Sequence, residues 1–312
     1  MNLDLELAPS ITKAASKQTY YTIRFLADRD RVADAYRAYA YFRWVDNVID
    51  AEIPPGEESG AGEERSAFVQ RQKALLESCY RGEVPNDLCL EEWMLVDLVH
   101  HDIEKDSGLQ IYLRNMMDVM TFDAQRRGRM ISQAELYEYS HMLAKAVTEA
   151  LFYFIGHDDP APRHDGRYMA VTAAHIAHML RDTYADVQAG YFNIPREVLY
   201  LNRIMPQDVE SNAYRAWVQS RVQLARSYFK TGKEYFRHAQ NRRCRLAGCA
   251  YIARFEWLLD TIEVEAYLLR PQYDERKSFG TGLRMSLDTL SSLMRRGDVS
   301  APPQTVPVRK HS

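Results

Sequence analysis

Apolar residues recur along this chain at three- and four-residue intervals, and no convincing run of two-residue alternation interrupts them. That period gathers side chains on one face of a helix and predicts helices over 31–50, 91–101, 112–127, 135–154, 168–188, 212–239 and 243–269. Several of these segments are apolar on more than one face, the mark of helices enclosed by others. Breaks are predicted where glycine and proline gather, at 53–64, 82–87, 157–166, 206–207 and 271–282. No repeat of fixed period is present. The expectation is one all-α domain over 1–296, followed by a proline-rich tail at 297–312 that is expected to be disordered.

Composition narrows the functional classes. Of 312 residues 46% are hydrophobic, enough for a large core. Forty basic against 43 acidic residues give a net charge of -3, which leaves no basic field for nucleic acid. The four cysteines, Cys79, Cys89, Cys244 and Cys249, form no C-x-x-C pair and sit in apolar or helical contexts. Reduced, packed thiols in a cytoplasmic protein are expected. The first ten residues, MNLDLELAPS, are acidic and lack the apolar core of a secretory signal. No stretch has the continuous apolar length needed to span a bilayer.

Two segments carry candidate chemistry. In YAYFRWVDNVID, Tyr39, Arg43, Asp46 and Asp50 follow at spacings of four, three and four, so they line one helix face. Aspartates at i and i+4 repel, and aromatic and apolar neighbours make a simple solvated face a poor explanation. Oxygen ligands at this spacing suit Mg²⁺, which keeps waters and shares substrate phosphates. The second segment, HIAHMLRDTYAD, places His175, His178, Asp182 and Asp186 on one stripe, with Arg181 beside it. Two such pairs facing one another across a bundle would grip a diphosphate through two or three Mg²⁺ ions. Arg43 and Arg181 are candidates for charge-assisted hydrogen bonds, or Arg181 for a structural pair.

These residues resemble the squalene and phytoene synthases. The first segment is similar to that family's Y-x-x-x-R-x-x-D-x-x-x-D helix. The second, with DVQAGYFNIP after it, resembles N-x-x-x-D-x-x-x-D-x-x-x-G-R-x-Y-x-P. Ser16-Lys17 with Tyr20 is similar to an N-terminal S-K-x-F-Y element. MMDVMTFDAQR resembles the helix before the middle motif. LYEYSHMLAKAV resembles Y-C-x-x-V-A-G-x-V, with Tyr139 as its active-site tyrosine. The resemblance covers roughly 11–270. It implies a helical bundle of the isoprenoid synthase type with a central cavity, where Mg²⁺ at the aspartate pairs assists departure of one diphosphate. The resulting allylic cation is then attacked by a second prenyl diphosphate.

The departures from the family pattern are specific. Lys145 replaces a glycine after the middle motif's alanine and either reaches toward diphosphate or turns outward, and Thr148 stands at a later glycine. His178 and His175 replace an asparagine and a glutamine, and both are candidates to contact diphosphate or accept a proton near neutral pH. Tyr191 and Asn193 replace the arginine and tyrosine of G-R-x-Y, and Phe255 matches the family's C-terminal tyrosine. Ionisation machinery is thus retained while the surroundings of the second substrate change.

The leading expectation is head-to-head coupling of two prenyl diphosphates, farnesyl or geranylgeranyl. An alternative keeps the donor and prenylates an aromatic or other acceptor. A third, a non-catalytic assembly factor, is disfavoured by retention of all four aspartates. Reduction by NADPH stays open, and an apolar product suggests peripheral membrane contact.

Overall fold

The helical period is realised throughout the computed structural model, which describes residues 3–51, 60–159 and 162–273. In order along the chain the helices are α1 (Leu3–Ala15), α2 (Lys17–Leu26), α3 (Val32–Asp50) and α4 (Ala61–Tyr80). They continue as α5 (Leu90–His101), α6 (Gly108–Arg126), α7 (Gln133–Phe154) and α8 (Gly166–Ala189). The series ends with α9 (Arg196–Asn202), α10 (Asn212–His238) and α11 (Arg242–Val264). Among the described residues the only pairing of the β type is an isolated bridge between Met130 and Phe192.

All seven predicted helices are present, and four more are found. α2 escaped the periodicity because it buries none of its residues, and α9 has only seven residues. α1 contains Pro9. α4 corrects the predicted break at 53–64: the helix starts at Ala61, with Glu63 and Glu64 in its first turn, where acidic side chains suit the amide-rich end. Residues 52–59 lie outside the described set. α11 stops at Val264, short of the predicted 269, because Ala266 and Tyr267 adopt left-handed φ of 53° and 67°. One further correction concerns the thiols. Cys79, Cys244 and Cys249 are buried, but Cys89 is exposed where α5 begins. The tail at 297–312 lies outside the described residues.

Close packing follows from small side chains at the right places. α8 buries Ala170, Ala173, Ala174 and Ala177. Gly232 of α10 lies so near that a Cβ there would stand 2.8 Å from the Ala170 backbone nitrogen. α7 and α8 are also joined by a buried fork: Arg167 donates to Glu149 Oε1 at 2.7 Å and Oε2 at 2.9 Å. α3, enclosed on several faces, buries Tyr41, Phe42, Val45 and Ile49, each apolar side chain worth ~1.5–3 kcal/mol relative to exposure. Its remaining face carries the first aspartate pair toward α8.

Candidate active site

α3, α6, α7, α8 and α11 surround a cavity of about 480 Å³ lined by Asp46, Asp50, Asp182 and Asp186 together. The two pairs thus meet in one space although they stand more than 130 residues apart in sequence. Tyr139, His175, His178, Tyr191 and Asn193 line the same cavity, with Leu143, Val147, Val171 and Met179 as its apolar wall.

Gly190 turns the chain at the end of α8. It holds φ at 85°, and a Cβ there would meet the Gly128 amide nitrogen at 3.3 Å. The Gly128 N–H donates to the Gly190 carbonyl at 2.7 Å, so the outgoing segment folds back against the link between α6 and α7. That path delivers two side chains. Tyr191 donates to Asp50 at 2.9 Å, and Asn193 donates to Asp186 Oδ2 at 2.7 Å. Asn193 in turn accepts from Arg126 Nη1 at 2.8 Å, and Arg126 Nε donates to Asp123 at 2.7 Å. The Tyr139 hydroxyl completes the chain, donating to Asp123 at 3.1 Å.

Electrostatics divide the four aspartates. Burial and the Asp50 charge push Asp46 up to about 6. Burial and the Asp182 charge push Asp186 up to about 7. Burial also raises Asp182, but hydrogen bonds from His178 and Arg181 outweigh it and hold that carboxyl at about 2. Burial raises Asp123 despite Arg126 and Tyr139. Surplus carboxylate in a partly closed cavity is the setting that a cation relieves. Among the described residues no three carboxylate, thiol or imidazole groups converge tightly enough to hold a metal by themselves. Magnesium held by one or two carboxylates at a time, with substrate oxygens completing its shell, fits that arrangement.

The histidines differ. His178 shares the Arg181 guanidinium at 2.9 Å and packs on Phe255 with ring centroids 4.7 Å apart. His175 is buried, stands edge-on to Tyr139 at 5.0 Å, and leaves its Nδ1 without a hydrogen-bond partner. Burial, followed by the charges of His178, Arg126 and Arg221, pushes it down to about 3, so it is neutral.

Other expected site residues lie apart. Ser16 caps α2 by accepting from the Thr19 amide, Lys17 is exposed, and Tyr20 stacks on Tyr36 at 5.3 Å. Neither these three nor Tyr39 and Lys145 are part of the cavity wall. Arg43 pairs with Asp46 at 3.0 Å. Arg181 forks Asp182 at 2.7 and 2.6 Å.

A family model described as squalene/phytoene synthase matches residues 12–278. The chain belongs to the squalene/phytoene synthase family. Its fold is similar to a dehydrosqualene synthase crystallised with a ligand, at 18% identity and TM-score 0.68, over 93% of this chain and 95% of that one. It is also similar to the squalene synthase HpnC from Alicyclobacillus acidocaldarius, at 17% identity and TM-score 0.65, over 86% and 95% of the two chains. A search of curated proteins finds no match.

Three residues of this squalene/phytoene synthase family member escaped the sequence reading. Asp123 and Arg126 lie in the quoted segment MMDVMTFDAQR, where an i, i+3 pair looks like an ordinary surface contact. Arg126 stands 4.9 Å over the Tyr191 ring, so a guanidinium reaches this corner from α6 although position 191 lacks one. Tyr251 lines the cavity one turn before Phe255, and burial pushes its hydroxyl up to about 12. The resemblance to the family's C-terminal tyrosine falls on Phe255, one turn further along α11.

Proposed function

We propose that this chain is a Mg²⁺-dependent prenyltransferase that ionises an allylic prenyl diphosphate, farnesyl or geranylgeranyl, and couples it head to head with a second. The observation that carries this reading is the meeting of Asp46, Asp50, Asp182 and Asp186 in one cavity with an apolar wall. These four carboxylates would hold the ions jointly with diphosphate oxygens, and the ions would offset charge developing on the leaving group.

The chain's own residues do the rest. Tyr191 and Asn193 hold Asp50 and Asp186 in place, and Arg126 adds positive charge at the same corner. Leu143, Val147, Val171 and Met179 keep water from the allylic cation. Tyr139 and Tyr251 line the same cavity.

A second reading, transfer to an aromatic or other acceptor that must lose a proton, is favoured by one observation. His175 leaves an unpartnered Nδ1 inside the cavity, free to hydrogen-bond an acceptor's polar group. Its depressed pKa of about 3 makes it too weak a base to take the proton near neutral pH, which corrects that expectation. Incubation with Mg²⁺ and geranyl, farnesyl or geranylgeranyl diphosphate, each alone, separates the readings. A hydrocarbon dimer in the organic extract supports head-to-head coupling. Prenyl alcohol without a dimer supports a missing acceptor. An intact donor rejects both. No helix among the described residues is long and apolar enough to cross a membrane, and contact with membranes is proposed as peripheral.

A further inference from the structure

A second cavity, of about 330 Å³, lies between α7, α8 and α10 and shares no lining residue with the aspartate cavity. Leu136 and Ile176 supply apolar wall, and the rings of Tyr137, Tyr168 and Tyr228 border it. Two of its polar groups are buried without a hydrogen-bond partner among the described residues: Arg221 Nε and Ser140 Oγ. Asp165 stands on the same wall without an ion pair to Arg221. Burial pushes the Arg221 guanidinium below its ordinary pKa, the sign of a cation partly stripped of water and left uncompensated. Such a charge weakens a fold unless something neutralises it. An anion in the cavity does so, accepting from the guanidinium and from the Ser140 hydroxyl. The tyrosine rings offer flat apolar faces to whatever the anion is attached to.

We propose that this cavity is a second ligand site, taking a small molecule in which one carboxylate or phosphate is joined to a flat or short apolar body. Arg221 and Ser140 hold the anion, and the tyrosine rings cover the body. The volume lies at the lower end for small-molecule sites, which limits the occupant to about the size of a substituted benzene ring. This site stands independently of the prenyl-transfer reading, since none of the four aspartates takes part in it.

Calorimetric titration of the full chain with phenyl phosphate and, separately, with benzoate tests the proposal. At least one probe is expected to bind saturably at one site, with a dissociation constant below about 1 mM. The tighter of the two identifies phosphate or carboxylate as the preferred anion. Arg221→Met is expected to weaken binding about tenfold or more, and Ser140→Ala about threefold or more. Asp182→Asn, at the other cavity, is expected to leave it unchanged. Without ligand, Arg221→Met melts at or above the wild-type temperature, because a partly desolvated, unpaired charge has gone, and the rise in melting temperature caused by the probe disappears. Absence of saturable binding by both probes at about 5 mM overturns the proposal, as does wild-type affinity in Arg221→Met or loss of binding in Asp182→Asn. If Arg221→Met fails to fold, Arg221→Gln and Ser140→Ala decide by the same criteria.

Discussion

The Tyr191 hydroxyl donates a 2.9 Å hydrogen bond to Asp50 across 141 residues of sequence. It ties the segment leaving α8 to the end of α3, and the same segment positions Asp186 through Asn193. Asp50 is exposed, and an exposed contact of this kind adds little to stability, on the order of 0.5 kcal/mol. Tyr191→Phe is therefore expected to melt within about 2 °C of wild type while diphosphate release slows about tenfold, because the carboxylate is no longer oriented. Steady-state kinetics beside a thermal melt checks this; unchanged turnover would remove the contact from the mechanism.

Arg126 serves Asp123 and Asn193 at once, and both it and Asn193 are buried. Arg126→Met strands the Asp123 carboxyl and is expected to cost about 3 kcal/mol, with roughly half recovered in Arg126→Met/Asp123→Asn. Urea denaturation of the two variants and wild type measures it. An additive double variant would mean that the pair is not coupled.

The aspartate pairs were legible in the sequence for a physical reason. Like charges at i, i+4 inside apolar helices carry a cost that ordinary packing does not offset. His175 was legible through its place in the second aspartate segment, and Tyr139 through the resemblance of LYEYSHMLAKAV to a family motif. Arg126 was not, because its partner Asn193 lies 67 residues away and comes within reach only after Gly190 reverses the chain. Arg221 was hidden in the same way: in YRAWVQSRVQLARSYFK it reads as part of a solvated basic face, and its desolvation comes from α7 and α8 packing against α10. The fold class needed no tertiary information, whereas α2, which buries none of its residues fully, and α9, with only seven residues, did.

Asp46 and Asp186 are acids whose folded-state pKa, about 6 and about 7, lies above the ordinary 3.8. The folded chain therefore holds their protons more tightly than the unfolded chain. Their contribution favours the fold below the ordinary carboxylate pKa and is lost as pH rises through 6 and 7. Asp46→Asn/Asp186→Asn is accordingly expected to melt above wild type at pH 8, by roughly 3 °C, with the gap closing toward pH 4. Mg²⁺ with inorganic diphosphate should raise the wild type alone at pH 8. Thermal melts across pH test both statements, and a gap that widens at low pH would contradict them.

His175, neutral and unpartnered, faces the cavity without touching an aspartate in the contacts seen. His175→Gln is expected to keep diphosphate release within about threefold of wild type, since ionisation does not depend on it, and to change the ratio of organic products. Mass analysis of the extract is the readout. An identical product profile would take His175 out of the cation's path.

The most direct test of the central claim is release of inorganic diphosphate from farnesyl or geranylgeranyl diphosphate, followed with and without Mg²⁺. Release by the wild type is expected to require the metal and to fall by about a hundredfold or more in both Asp46→Ala and Asp182→Ala. Release that persists in either variant, or that proceeds equally well without Mg²⁺, would contradict the account.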